Sequence, residues 1–119
     1  MNLVELFLTL QNQMRIYHWQ TTSYAEHKAL GKAYEDLDDL IDSFMETYIG
    51  KYKRPVAKDK FNISLFNYGS SMKDNIDAFI DVLTEDLPKS LSEKDTDLLN
   101  IRDEMLGLLN KLKYLLTLS

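Results

Sequence analysis

The sequence predicts an all-α protein, folded as a single domain over residues 1–119. Three observations carry the prediction. Apolar residues recur at three-and-four spacing along four separate stretches, as helices with one buried face require. Glycine and proline, which punctuate turns, number only four and two in 119 residues. Apolar residues make up 45% of the chain, enough to fill the core of one helical domain.

The first helix is expected over about residues 2–19, where Leu3, Leu6, Phe7, Leu10, Met14 and Tyr17 share a face. Gln20-Thr21-Thr22-Ser23 then makes a short polar turn with capping residues for the next helix. The second helix is expected over 24–49, with Leu30, Tyr34, Leu37, Ile41, Phe44, Met45 and Tyr48 as its stripe. Gly50 stands in the C-cap place, Lys51, Lys53 and Arg54 suit the negative helix end, and Pro55 closes it. Residues 51–69 form the longest connection. Phe61, Ile63, Leu65, Phe66 and Tyr68 make it too apolar for a bare linker, so it should cross the bundle with a short helix of its own. The third helix, about 70–86, turns Met72, Ile76, Phe79, Ile80 and Leu83 inward and breaks at Asp86-Leu87-Pro88. The fourth starts near Ser92, where Ser-Glu-Lys-Asp is a weak variant of a capping box, and runs to the C-terminus on a leucine-rich face. Two short connections and one long crossover between helices 2 and 3 describe a ferritin-like four-helix bundle.

Composition excludes several function classes. No cysteine is present, so there is neither a disulfide framework nor a thiolate metal site. The net charge of −5 argues against nucleic-acid binding, which needs a basic face. No apolar run is long enough to span a bilayer. The start, Met1-Asn2-Leu3-Val4-Glu5, lacks the basic region of a secretory signal, so a cytoplasmic protein is the expectation.

Four residues carry potential chemistry: His18, His27, Asp42 and Glu46. Two imidazoles and two carboxylates suit non-haem iron or another divalent transition metal. Along one helix His27 and Asp42 are roughly 22 Å apart, yet only about 60° apart in angle, with Glu46 about 40° further round. They cannot meet within one chain. Two antiparallel helices across a two-fold axis would bring His27 of one copy to Asp42 and Glu46 of the other, giving two equivalent inter-subunit sites per dimer. Glu35, Asp39, Asp42 and Glu46 form one acidic stripe, whose mutual repulsion a bound cation would relieve. Glu35 and Asp39 are expected only along an approach path. The chain has no Glu-x-x-His motif, so an intra-bundle di-iron site is not expected.

Residues 14–50 resemble the Dps miniferritins, DNA-binding proteins from starved cells. The resemblance rests on Tyr17-His18-Trp19-Gln20, Glu26-His27, and the Asp42/Glu46 pair at fifteen and nineteen residues beyond His27. It implies a ferroxidase site shared across a two-fold axis, with both histidines from one chain and both carboxylates from the other. It implies iron as the metal, oxidised by peroxide or oxygen, and a homo-oligomer of at least two chains, with a dodecamer left open. Trp19 would then serve as an electron donor beside the site; burial as a core or interface anchor is its plainer reading. The sequence differs from the family in a shorter loop between the histidines, in Gly31 where an acidic residue is common, and in having no lysine-rich tail. The competing function is a metal-free helical bundle with a structural or accessory role, a viral one included.

Overall fold

The computed structural model describes residues 2–118, so Met1 and Ser119 lie outside the described residues. The fold is all helical: α1 (Leu3–Gln20), α2 (Tyr24–Lys51), α3 (Met72–Asp81) and α4 (Thr96–Leu116). α3 continues as a π-helical turn over Val82–Asp86 and a 3-10 turn over Leu87–Ser90. Among the described residues no helix is long and apolar enough to cross a membrane.

Local signals set the first two helices. The Asn2 side chain accepts the Glu5 N–H at 3.0 Å and opens α1. The Ser23 hydroxyl accepts the Glu26 N–H at 3.2 Å and opens α2. The three residues between them force an antiparallel hairpin. α2 is the central element and packs on both α1 and α4. Phe7 meets Phe44 edge-on at 4.9 Å between α1 and α2, and both are buried. Leu10, Met14, Tyr17, Leu30 and Leu37 extend that core, and Ile76, Leu83, Leu98, Met105 and Leu109 close it from the other side. α3 packs on α4 and is tied to α1 by the Asn75 amide, which donates to the buried Tyr17 hydroxyl at 2.8 Å. Burial raises the Tyr17 pKa, against the lowering effect of that bond.

Four expectations are corrected. The crossover, residues 52–71, contains no helix. Side chains of α1 hold its backbone instead. Glu5 accepts the Asn62 N–H at 2.6 Å, Gln13 binds both the Phe66 N–H (2.7 Å) and carbonyl (2.8 Å), and Gln20 accepts the Tyr68 N–H at 2.6 Å. These bonds engage three N–H groups and one carbonyl that a helix would otherwise need for its own ladder. Of its apolar residues Tyr68 packs on the core, while Phe61, Ile63, Leu65 and Phe66 remain exposed.

Gly50 is not a cap: α2 runs through it to Lys51, and no described glycine has a positive φ. Nor is Lys51 a free dipole partner. It pairs with Asp95 at 2.6 Å and Asp97 at 2.8 Å, and the Tyr52 hydroxyl donates to Asp95 as well. That cluster fastens the end of α2 to the start of α4. α4 accordingly begins at Thr96, four residues past Ser92. Half of the capping box survives, since Asp95 reaches back to the Ser92 N–H at 2.8 Å.

The Asp95 cluster gives a pH prediction. The Lys51 ammonium, the Tyr52 hydroxyl and the Ser92 N–H hold the Asp95 carboxyl down from 3.8 to about 2. A depressed folded-state pKa stabilises the fold above the unfolded value and loses that contribution as pH falls through the folded one. The melting temperature should therefore fall between pH 4 and pH 2. Asp95→Asn should melt lower than wild type at pH 7 and show a flatter acid limb, measured by circular dichroism. An unchanged acid limb would remove Asp95 from the account.

Candidate metal centre

The α1–α2 hairpin brings His18 and His27 together. Their rings stack with centroids 3.8 Å apart and planes 16° apart. Each Nδ1 faces the other residue's backbone carbonyl: His18 to the His27 oxygen at 2.6 Å, His27 to the His18 oxygen at 2.9 Å. A carbonyl can only accept, so each Nδ1 carries its proton. In the neutral imidazole each Nε2 then keeps its lone pair. Fixing a histidine through Nδ1–H to a backbone carbonyl is how metal-binding imidazoles are commonly oriented.

The near-parallel rings limit what one ion can do. A metal bound at Nε2 lies in the plane of its ring, at about 2.0–2.1 Å for zinc. Two nearly parallel planes do not intersect near the rings. The stacked pair therefore cannot chelate a single ion, and each ring suits an ion of its own.

Gly31 explains how the rings fit. It stands one turn after His27, and a Cβ there would lie 2.7 Å from Cε1 and 3.0 Å from Nδ1 of His18. Only a residue without a side chain leaves the His18 ring its place against α2. The acidic residue common at this position in miniferritins could not be accommodated without moving His18. Tyr34 meets the ring of His18 edge-on at 5.2 Å, and the Arg15 guanidinium lies over Tyr34 at 4.7 Å while bonding Asp38 at 3.1 Å. His18, His27, Lys28, Gly31, Lys32 and Glu35 line one open cleft of about 430 Å³.

Asp42 and Glu46 are not part of this cleft. α2 is one unbroken helix, so Asp42 lies roughly 22 Å along it from His27. Among the described residues no group of three or more histidines and acids lies close enough to hold a metal. Glu35, Asp39, Asp42 and Glu46 are all exposed, and among the described residues none forms an ion pair. Trp19 is 66% exposed and Tyr24 74%, beside the histidine pair on the same end of the hairpin. A core role for Trp19 is thereby excluded within the single chain.

Sequence reasoning missed the crossed carbonyl bonds and the roles of Gly31 and Tyr34 beside His18. The available signal was symmetry. His18 and His27 flank a three-residue turn at nearly equal distances, which places them face to face in an antiparallel hairpin.

Residues 18–116, which include both histidines and both carboxylates, match a family described as a family of unknown function (DUF5856). The chain is 30% identical over 114 residues to the "Uncharacterized 14.6 kDa protein in mobD-ri intergenic region" of Enterobacteria phage T4, across 96% of this chain and 84% of that protein. No solved structure matches the chain significantly. With the match spanning α2, α3 and α4 in full, the chain belongs to the DUF5856 family of unknown function.

Proposed function

We propose that the protein is a ferritin-like bundle, similar to the Dps miniferritins, that binds ferrous iron between two copies and oxidises it. His18 and His27 of one copy would supply nitrogen ligands, and Asp42 and Glu46 of the other would supply the carboxylates. The observation that carries the reading is the crossed pair of Nδ1–H bonds, which fixes both rings and leaves both Nε2 atoms as donors. Two imidazoles serving one ion each would place two ferrous ions in a composite site. Two ferrous ions, each giving one electron and becoming ferric, would with two protons reduce one hydrogen peroxide to two waters. The unpaired stripe on α2 offers exposed carboxylates for the second copy. Trp19, exposed beside the pair, would supply an electron to quench a radical by-product.

The test is anaerobic titration with ferrous iron, followed by peroxide, reading ferric absorbance and chain mass. Binding is expected only in a dimer or larger. His27→Ala and Glu46→Ala should each abolish it, although they lie at opposite ends of one helix. A mixed dimer of the two variants should regain one intact site in two, because both lesions then fall in the same composite site. Restoration of nothing on mixing would defeat the shared geometry. A chain that binds no iron at all would be the metal-free structural bundle.

No binding of duplex DNA is expected at about 150 mM salt. The basic cluster by the crossover loses Lys51 to Asp95 and Asp97, which leaves Lys53, Arg54, Lys58 and Lys60 against a net charge of −5. A gel shift at low micromolar protein that vanished in Lys53→Ala/Arg54→Ala would contradict this.

A further inference from the structure

Two patches on opposite sides of the α4 helix complement one another in charge. The first is a groove between α2 and α4. Its floor is Ala25, Ala29 and Ala33, one turn apart on α2, with Leu108, Leu112 and Leu115 on α4. The alanines carry no bulk, so a second helix could approach α2 closely. Lys28, Lys32 and Lys111 line it as well, with Asp36 the one acid among them. Among the described residues Lys28 and Lys111 hold no carboxylate, and Lys32 has only a pair with Asp36 at 3.0 Å, well exposed to solvent. Three lysines against one aspartate leave the groove net positive around an apolar floor, in a chain of net charge −5.

The second patch is a ridge on α3. Asp74, Ala78 and Asp81 follow four-three spacing on one face, and Glu85 continues it on the π-helical turn. All four are exposed, and among the described residues none of the three acids forms an ion pair. Small Ala78 leaves the middle of the ridge low.

The patches cannot meet within one chain. Asp77 of α3 pairs with Lys113 of α4 at 2.5 Å, which fixes α3 on the Lys113 side of that helix. Lys111 is two residues away and therefore about 160° round the helix, on the groove side.

We infer that the α2–α4 groove receives the acidic α3 ridge of a second copy, with Lys28, Lys32 and Lys111 facing Asp74, Asp81 and Glu85. The two patches differ, so the contact is head-to-tail and builds a ring or a chain of copies. It uses neither histidine, neither Asp42 nor Glu46, although Lys28 and Lys32 also line the histidine cleft.

The test is chain mass by light scattering in the presence of a chelator, which removes iron from the outcome. At about 20 mM salt, where screening is weak, wild type should form species larger than two chains, and these should dissociate at about 500 mM. Lys28→Glu/Lys32→Glu/Lys111→Glu should abolish them, as should Asp74→Lys/Asp81→Lys/Glu85→Lys. Mixing the two charge-reversed proteins should restore them, because every contact between unlike copies then pairs opposite charges. Ala29→Trp, which fills the groove without changing charge, should abolish them too. The inference is overturned if wild type shows nothing above two chains at low salt. It is equally overturned if reversal leaves the mass unchanged, or if the mixture of two proteins with native circular dichroism fails to reassemble.

Discussion

Gly31→Ala should weaken iron binding by about ten- to a hundredfold, the usual cost of disturbing the groups that orient a metal ligand, without unfolding the protein. The two effects of this substitution oppose each other. Replacing glycine by alanine inside a helix favours the folded state by up to about 1 kcal/mol. The new Cβ, however, would stand 2.7 Å from the His18 ring, which must move away. That movement breaks the stack at 3.8 Å and the bond from His18 Nδ1 to the His27 carbonyl. Stability is therefore maintained while iron binding weakens. The readouts are the melting temperature, the iron titration and the ring-proton shifts of the two histidines, which stacking displaces. Iron affinity unchanged in a folded Gly31→Ala protein would mean that the stacked arrangement plays no part in binding.

The parts of this fold that were legible in the sequence are those set locally. Asn2 and Ser23 cap the helices they precede, and the stripes from Leu3 to Tyr17 and from Leu30 to Phe44 face the core. Each depends on residues within a turn or two. What was not legible depends on partners far along the chain. The crossover is apolar enough to suggest a helix, but Glu5, Gln13 and Gln20 satisfy its backbone from more than forty residues away. The start of α4 moves because Asp95 is drawn to Lys51 and Tyr52. No periodicity encodes such a bond.

The candidate site follows the same division. His18 and His27 were legible as candidate nitrogen ligands because they are the only histidines. Their stacking was not, because it requires the hairpin and the missing side chain of Gly31 together. The carboxylates were legible as a stripe, and the exposed face of α2 carries them as such.

Phe44→Ala should have the largest effect on stability. Phe44 is fully buried and sits edge-on to Phe7 at 4.9 Å, at the end of the α1–α2 hairpin opposite the histidines. Truncating a buried phenylalanine costs about 3–5 kcal/mol, from lost transfer energy and the cavity left behind. The aromatic contact adds to the loss, since such pairs contribute roughly 0.5–1.5 kcal/mol beyond burial. A domain of this size has about 5–15 kcal/mol in total, so much of the reserve disappears. The melting temperature should fall by about 10–25 °C. The histidine pair lies far from Phe44 along the hairpin, yet it should be lost in the same transition. Its geometry rests on α1 and α2 remaining packed, because the crossed bonds join one helix to the other. Ring-proton shifts and far-ultraviolet circular dichroism of the variant should therefore share one midpoint. Separate midpoints would mean that the turn and its two histidines hold together as a local unit without the bundle core.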